Sequence, residues 1–423
     1  MLDIKRIREN PTDVKKGLLA RGADPSMIDS IIEQDRVRRE FLQDAESRKN
    51  ERNRLSKEIG MRRKQGEDTS ATQAEVRALG NAIDSLDAKV KAIEAEQEQR
   101  LLSIPNIPGP HTLMGKDASD NRVKRTWGTP RTFEFTPKTH IEIGEELGIL
   151  DFARATRMTG AGFPLLKAGA AKLQRALIQF MLDLHVNEHG YTELLPPFLV
   201  NSKSMTGTGQ LPKMQDDMYN VPSDDLWLIP TAEVPVTNYY REEIIDQPLP
   251  IYLTAYTPCF RREAGAAGRG TRGLIRVHQF DKVEMVKFVE PTTSYEELES
   301  LTAHAEDVLQ RLELPYRVLE LCSGDISFAA AKCYDLELWA PGQQEWLEVS
   351  SCSNFEDFQA RRAGIRYRDA DGKPQFVHTL NGSGVALPRL MIAILENGQQ
   401  ADGSVILPQA IVPYMGGQDR ITA

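Results

Sequence analysis

Residues 257–285 read TPCFRREAGAAGRGTRGLIRVHQFDKVEM, a turn rich in glycine and arginine between two apolar runs. Around it, Ile251–Phe260 and Ile275–Val289 are rich in β-branched and aromatic residues, so each predicts a long strand. The glycine-rich segment Ala264–Gly273 joins a strand to a strand and not to a helix, which predicts a hairpin and argues against a dinucleotide-binding fingerprint. The turn is also rich in guanidinium groups, which suit phosphate oxygens: Arg261, Arg262, Arg269, Arg272 and Arg276. It therefore predicts a basic loop that closes over a polyphosphate, the alternative being an exposed basic hairpin.

The second strand of this hairpin carries polar side chains on one face. Period-two alternation places five residues together there: Arg276, His278, Phe280, Lys282 and Glu284. Because so much charge does not suit a dry core, this face predicts the floor of a polar pocket.

The region after residue 110 mixes helices with further strands. The strands are predicted at Tyr191–Leu195, Leu226–Ile229, Tyr316–Leu321, Tyr334–Trp339 and Trp346–Ser351. The helices are predicted at Ala170–Glu188, Tyr295–Leu312 and Pro388–Asn397. Since strands outnumber helices and several are consecutive, the predicted fold class is α+β with an antiparallel sheet. The sequence has no GxxxxGK(S/T) loop, so a P-loop nucleotide site is not supported.

The N-terminal region predicts an antiparallel pair of long helices, a coiled-coil arm at about residues 26–100. Apolar residues recur with a period of 3.5 at Val76, Leu79, Ile83, Leu86, Val90 and Ile93. An upstream helix runs from Pro25–Ser26 to about Lys64, with a seam at Phe41, Ala45, Arg48, Arg52, Leu55 and Ile59, and a polar tip follows it. Residues 36–64 hold eleven Lys or Arg against five acidic residues, a net charge of +6. This helix is either a rod that contacts a phosphate backbone or a solvated coiled-coil face.

Composition sets the domain organisation and the compartment. The chain has 423 residues and a formal net charge of −9, divided into +1 over residues 1–110 and −10 over the remainder. Three prolines between residues 105 and 110 end the arm, which predicts a domain boundary: a helical domain at 1–104, a linker at 105–115 and an α+β domain at 116–423. The four cysteines are widely spaced, the N-terminus has no secretory h-region, and no apolar window could span a membrane. We expect a cytoplasmic protein with reduced thiols.

Four shorter patterns each fit an interpretation that needs no functional role. Glu348 with Ser350 and Ser351 could hold Mg²⁺ or could simply end a strand. The Thr231-Ala232-Glu233 run fits a helix N-cap. The stretch 381–384 (NGSG) fits a turn before a helix that carries Arg389. His185, Glu188 and His189 match the HxxEH pattern of some zinc peptidases, but they stand just before Gly190, where a cationic histidine suits the helix dipole, and we favour that interpretation.

In order, the motifs resemble those of bacterial seryl-tRNA synthetases, which are class II aminoacyl-tRNA synthetases. The matching stretches are TGTGQLP (206–212), PTAEVP (230–235), residues 257–285, EVSSCSNFEDFQARR (348–362) and HTLNGSG (378–384). The N-terminal helical arm also fits this family, whose members carry it as an appendage. The resemblance implies the class II antiparallel sheet flanked by helices, with Lys172–Pro197 as motif 1 at a homodimer interface, the Arg261 hairpin as motif 2 and Gly384–Asn397 as motif 3.

The resemblance also assigns site residues. It implies ATP contacts at Arg261, Arg262, Glu263, Val277, Glu348, Val349, Ser350, Ser351 and Arg389, with Arg261 and Arg389 as the catalytic pair. It implies serine contacts at Thr231, Ala232, Glu233, Glu284 and Ser383, with Thr379 and Asn381 close by. Glu348 and Ser351 become the Mg²⁺ ligands. Two positions depart from the family, which often has Ser in place of Arg262 and Gly in place of Pro388. The role of Arg262 is therefore open, and Pro388 suits a helix N-terminus.

The implied activity is ATP-dependent formation of seryl-adenylate, followed by transfer of serine to tRNA(Ser) and also to tRNA(Sec). Arg48, Arg52 and Arg54 of the basic helix are the predicted tRNA contacts. Two alternatives differ in class. A ligase that loads an amino acid onto a carrier protein would lack the long arm, and a non-catalytic scaffold would be expected to lose Arg261, Glu284, Glu348 or Arg389, all of which are present.

Overall fold

The computed structural model of the protein describes residues 1–264 and 272–423, so Arg269 of the predicted basic turn lies outside the described residues. The chain forms two compact units. One contains residues 2–19 and 23–105, and the other contains residues 1, 20–22 and 106–423. No helix among the described residues is both long enough and apolar enough to cross a membrane.

The helices divide between the two units. The N-terminal ones are α1 (Ile4–Glu9), α2 (Pro11–Ala20), α3 (Met27–Lys64) and α4 (Ser70–Ser103). Those of the C-terminal region are α5 (His140–Glu146), α6 (Phe152–Thr159), α7 (Gly169–Asn187), α8 (Ser202–Thr208), α9 (Glu233–Thr237), α10 (Ser294–Arg311), α11 (Phe358–Ala363) and α12 (Leu387–Gly398).

Helices α3 and α4 form the predicted arm. The 38 residues of α3 span about 57 Å at the usual rise per residue. Ion pairs Arg38–Glu94 and Lys49–Asp87 join the two helices, and the partner on α4 comes earlier as the residue on α3 comes later, so the helices are antiparallel. The buried seam contains the predicted Ala45, Leu55, Ile83, Leu86 and Val90, which confirms the heptad interpretation.

The strands of the C-terminal unit belong to one large sheet and three small ones. They are β1 (Arg122–Trp127), β2 (Thr192–Glu193), β3 (Leu199–Asn201), β4 (Asn220–Val221), β5 (Leu226–Leu228), β6 (Ile244–Ile245), β7 (Ile251–Phe260), β8 (Gln279–Val289), β9 (Tyr316–Glu320), β10 (Lys332–Ala340), β11 (Glu345–Asn354), β12 (Arg366–Arg368), β13 (Pro374–Phe376), β14 (His378–Ala386), β15 (Val405–Ile406) and β16 (Arg420–Ile421).

The large sheet has eight strands in the order β1-β9-β10-β11-β14-β8-β7-β2. Every neighbouring pair is antiparallel except β2 and β7, which confirms the α+β prediction. Apolar side chains of α7, α10 and α12 pack against the face that carries Val283 and Met285. Because β8 alternates, the side chains of Lys282 and Glu284 lie on the opposite face, where the site is built.

The prediction that the second hairpin strand begins at Ile275 is wrong, since β8 begins at Gln279. The opposite chain leaves the ladder after Phe260, where the backbone N–H of Arg262 turns to the carbonyl of Asp217. The carbonyl of His278 still accepts from the backbone N–H of Arg261, but the N–H of His278 donates to the carbonyl of Gly162, so the ladder does not continue before Gln279.

Strand β14 lies near the centre of the sheet and contains residues 381–384, so the turn interpretation of NGSG is wrong. Its glycines allow two close approaches. A Cβ added at Gly382 would lie 2.7 Å from Cys352 Sγ, and one at Gly384 would lie 2.4 Å from His185 Nε2. Glycine permits both approaches because it has no Cβ.

Two β-bulges interrupt the central strands beside the site. In the β10–β11 pair, Leu336 faces Ser350 but Glu337 faces Glu348, so Val349 is the extra residue. In the β8–β14 pair, Ser383 faces Glu284 but Val385 faces Val283, so Gly384 is extra. Because side chains alternate along a strand, the extra residue shifts the alternation, and the core-facing positions change from odd to even numbers or the reverse at each bulge.

The histidines at the end of α7 face protein and not solvent. His185 Nδ1 lies 2.9 Å from His189 Nδ1, and His189 Nε2 lies 3.0 Å from Asp307 Oδ2. Burial lowers the pKa of His185 to about 3, so the predicted cationic His185 at the helix end is wrong. Within residues 1–264 and 272–423, no group of three or more His, Cys, Asp or Glu is arranged to hold a metal.

The stretch after the arm is hydrogen-bonded into the C-terminal unit. The Asn106 amide donates to the carbonyls of Ala329 and Phe355, each at 3.0 Å. Thr112 donates to the carbonyl of Ala331. These bonds anchor the residues predicted to be a linker.

Candidate active site

A cavity of about 700 Å³ opens on the sheet face opposite α7, α10 and α12. Strands β8, β11 and β14 form its floor, and β11 and β14 each carry one of the two bulges. The start of α12, with Pro388 and Arg389, completes one wall. Pro388 occupies the first turn of that helix, as predicted, where its missing N–H costs no helical hydrogen bond.

Most residues predicted from the motifs line this cavity. They are Thr231, Glu233, Arg261, Glu263, Val277, Glu284, Glu348, Val349, Ser351, Ser383 and Arg389, with Asn381 beside them. Within the described part of the chain, three predicted site residues do not line the cavity. Ala232 is buried behind it, Ser350 turns away and donates its hydroxyl to the carbonyl of Ser383, and the Arg262 side chain is exposed.

The predicted polar face of the second hairpin strand is divided by the late start of β8. Phe280, Lys282 and Glu284 face the cavity from the strand, and Arg276 reaches it from the preceding loop. His278 lies outside the described lining, because its ring packs on Phe163 and its Nδ1 lies 3.0 Å from the carbonyl oxygen of Arg261.

One end of the cavity holds a buried ionic cluster. The ammonium of Lys282 pairs with the Glu284 carboxylate and donates to Thr231 Oγ1 at 2.9 Å. Thr231 Oγ1 lies 3.3 Å from Glu284 Oε2. Burial raises the pKa of the Glu233 carboxyl to about 7, and the nearby Glu284 carboxylate adds to this. Because this end has two carboxyl groups and only one ammonium, it can accept one further small cation.

The other end is held by two guanidinium groups. Arg261 lies over the Phe280 ring, 5.1 Å from its centroid, and its Nε donates to the carbonyl of Pro230. Arg389 donates from Nη1 to the carbonyl of Glu348 at 2.7 Å and from Nε to that of Ile275 at 3.1 Å. These bonds use some of the donors on each fork and fix its plane, which leaves other N–H groups for an anion.

Glu348 and Ser351 meet at the cavity because of the bulge at Val349. Regular alternation would place residues three apart on opposite faces of a strand, whereas both side chains line the cavity here. Their carboxylate and hydroxyl oxygens are the hard donors that Mg²⁺ prefers, and Asp335 faces Ser351 from β10. This is a partial ligand set, typical of Mg²⁺ sites in which a polyphosphate supplies further oxygens.

Several lining residues were not given roles by the sequence. Thr208, Gly209 and Gln210 come from TGTGQLP, and Phe328 comes from a loop that no motif covers. A signal was present for the first three, since TGTGQLP is one of the matching stretches.

Two family models match the chain. The one described as seryl-tRNA synthetase N-terminal domain matches residues 1–108. The one described as tRNA synthetase class II core domain (G, H, P, S and T) matches residues 218–398.

Similar proteins cover the whole chain. A serine–tRNA ligase of Thermomicrobium roseum is 57% identical over 100% of this chain and 95% of its own length. One of Carboxydothermus hydrogenoformans is also 57% identical, over 100% and 99%. Among solved structures, seryl-tRNA synthetase from Pyrococcus horikoshii complexed with ATP has a TM-score of 0.94 at 40% identity, covering 100% of this chain and 99% of that one.

A cytoplasmic serine–tRNA ligase from Naegleria fowleri, in complex with AMP, has a TM-score of 0.89 at 30% identity over the same shares of the two chains. Full-length similarity at this level agrees with the order of the motifs and with the cavity that they form. The chain therefore belongs to the seryl-tRNA synthetase family.

Proposed function

We infer that this protein is a serine–tRNA ligase, which activates L-serine with ATP and transfers the seryl group to tRNA. The observation that carries this function is the cavity itself, with an acidic cluster at one end and two fixed guanidinium groups at the other. The first end suits a small ammonium-bearing substrate, and the second suits a polyphosphate.

We propose that the acidic end binds serine. Glu233 and Glu284 offer carboxylates to its ammonium and hydroxyl, and Thr231 and Ser383 add hydroxyls. Ala232 supports this end from behind. Glu284 is already oriented by Lys282 and Thr231. Alanine as a competing substrate lacks the hydroxyl of serine and would leave this buried carboxylate without a partner. Threonine as a competing substrate would be excluded by the size of the site.

We propose that the guanidinium end binds ATP. Arg261 and Arg389 would hold the α-phosphate while the serine carboxylate oxygen attacks it in line and pyrophosphate leaves. Glu263, Val277, Glu348, Val349 and Ser351 line the same end, and Ser350 supports it through its bond to Ser383. Neither step requires a protein nucleophile, because positioning and charge neutralisation are sufficient.

We propose that Glu348 and Ser351 hold Mg²⁺. The support is the convergence of the two oxygens at the bulge and the partial ligand set around them. Bound there, the cation would neutralise phosphate charge. The protein groups at this end would then orient the nucleotide, with Arg389 fixed against the Glu348 backbone.

Three further assignments stay predictions. The homodimer through Lys172–Pro197 is compatible with Leu195, which is 81% exposed and next to β2. Cytoplasmic location rests on the widely spaced cysteines and the charged N-terminus, and the use of tRNA(Sec) rests on the resemblance alone. The carrier-protein ligase is disfavoured by α3 and α4, and the scaffold is disfavoured by the intact cavity.

Pyrophosphate exchange measured with each of the twenty amino acids tests the proposed function. We expect ATP–pyrophosphate exchange with serine, its loss when EDTA removes Mg²⁺, and subsequent charging of total tRNA with serine. Exchange with no amino acid would contradict the assignment. Exchange with serine but transfer only to a carrier protein would favour the other ligase.

The arm is expected to act in tRNA charging and not in serine activation. Arg48, Arg52 and Arg54 lie on α3, where Arg54 is the most exposed, and we propose that they contact the tRNA backbone. Replacing all three with alanine should raise the KM for tRNA about 10-fold or more and should make that KM depend less steeply on salt, since fewer phosphate contacts release counterions. Serine-dependent pyrophosphate exchange should stay unchanged.

Arg100→Ala is the matched control for the arm. Arg100 pairs with Glu96 on α4 as Arg48 pairs with Asp44 on α3, at similar side-chain exposures of 44% and 40%. We expect it to leave both activities unchanged. Equal loss of exchange and charging in the triple variant would contradict a tRNA-specific role.

A further inference from the structure

The buried amide of Gln359 connects three parts of the cavity wall. Gln359 is the second residue of the short helix α11, and its side chain is fully buried. It belongs to EVSSCSNFEDFQARR, whose C-terminal part has no role in the function proposed above.

The Gln359 side chain makes three hydrogen bonds. Nε2 donates to Glu233 Oε1 at 2.6 Å and to the carbonyl oxygen of Thr208 at 3.2 Å. Oε1 accepts from Thr379 Oγ1 at 2.8 Å. Thr208 and Thr379 are themselves buried, so water does not replace these partners.

The chemistry of these partners fixes which way the amide points. A carbonyl oxygen only accepts, so the nitrogen of Gln359 must face Thr208, and the Thr379 hydroxyl then donates to the oxygen. A flipped amide would place two acceptors together at Thr208 and at Glu233. The NH₂ group is therefore directed at the Glu233 carboxylate by two independent contacts.

Glu233 needs such a donor more than an exposed carboxylate would. It is half-buried in the cavity wall and is next to a second carboxylate, Glu284, and both effects disfavour its charged form, whereas the ammonium of Lys282 favours it. A hydrogen bond to the charged form works in the opposite direction. The amide of Gln359 supplies one without adding charge to the pocket.

We propose that Gln359 is a positioning residue for amino acid recognition, which holds the Glu233 carboxylate in place and favours its charged form for the substrate ammonium. Thr379 orients the amide, and Thr208 connects it to the TGTGQLP loop. This rests on the proposed role of Glu233 in binding serine. Gln359 does not line the cavity among the described residues, so it acts through Glu233 and not on the substrate itself.

The test is Gln359→Met, which keeps the length of the side chain and removes its donors. We expect the KM for serine in pyrophosphate exchange to rise about 10- to 100-fold at pH 7, the usual range for a lost hydrogen bond to a charged group. The KM for ATP should change less than about twofold. Because the variant raises the pKa of Glu233, its defect should shrink as the pH rises from 7 to 8.5.

Thr379→Val gives a second, milder test that keeps Gln359. It should raise the KM for serine about 2- to 10-fold in the same pH-dependent way, since a neutral hydrogen bond is lost. Gln375→Met is the matched control, because this glutamine is exposed on β13 and bonds Asp369. It should leave all constants unchanged, and thermal unfolding of each variant checks that it is folded.

Glu233→Gln separates failure of this inference from failure of the proposed function. If Glu233→Gln leaves the KM for serine unchanged, Glu233 is not the serine ligand and the proposed role fails. If Glu233→Gln raises that KM but folded Gln359→Met and Thr379→Val do not, only the role of Gln359 is wrong. A defect that is the same at pH 7 and 8.5 and equal for serine and ATP would also overturn it.

Discussion

Replacing Arg261 with alanine is expected to lower serine-dependent pyrophosphate exchange about a thousandfold, mostly in kcat. The guanidinium is fixed over Phe280 and, through Nε, against the carbonyl of Pro230, while the Arg261 side chain lines the cavity. Charge that develops on the α-phosphate in the transition state would then meet a donor that needs no reorganisation. Steady-state exchange at saturating serine and ATP measures the effect.

Arg262→Ala is the matched control for Arg261. The two residues are adjacent, but the Arg262 side chain is exposed and lies outside the described lining of the cavity. We expect a change of less than about threefold, as for other exposed charges. Equal losses in both variants would contradict the assignment of Arg261 to the α-phosphate and would give Arg262 a phosphate contact.

Replacing Glu284 with alanine is expected to abolish serine activation and also to destabilise the fold. Glu284 is buried and pairs with Lys282, so the substitution removes a serine ligand and leaves a buried ammonium without its counter-ion. The expected losses are at least about a thousandfold in exchange and about 3–5 kcal/mol in the free energy of unfolding. Exchange kinetics and denaturant unfolding measure them separately.

The double variant Glu284→Ala with Lys282→Met distinguishes the two effects. Removing both charges should restore most of the stability, because no unpaired ion stays buried. Activity should stay lost, since the serine ligand is still absent. If stability does not recover, the cost of Glu284→Ala comes from packing and not from the ion pair. If the double variant activates serine, Glu284 does not bind it.

Regular patterns in the sequence predicted the elements well. The period of 3.5 in α4 and the β-branched run of β7 are local signals, and the structure has both where they were predicted. The motif residues also converge, because Thr231, Glu284 and Arg389 line one cavity although they are far apart in the sequence. The resemblance predicts this convergence, whereas no local pattern does.

Features that depend on distant partners were not predictable from local patterns. Strand β8 starts late because Arg262 bonds Asp217, which is 45 positions earlier. His185 is neutral because it is buried beneath Gly384, although its place at a helix end favoured a cation. Arg262 is exposed although the preceding Arg261 lines the cavity. In each case the decisive contact joins residues with no common sequence pattern.

The bulge at Val349 divides β11 into two stretches of opposite parity. Before it, odd-numbered Leu347 faces the core, and after it, even-numbered Cys352 does so, while odd-numbered Ser351 faces the cavity. A substitution at Leu347 therefore tests packing of the core, whereas a substitution at Ser351 tests ligand binding. A library that randomises every second position along β11 would therefore combine core residues with cavity residues. The positions have to be chosen separately before and after Val349.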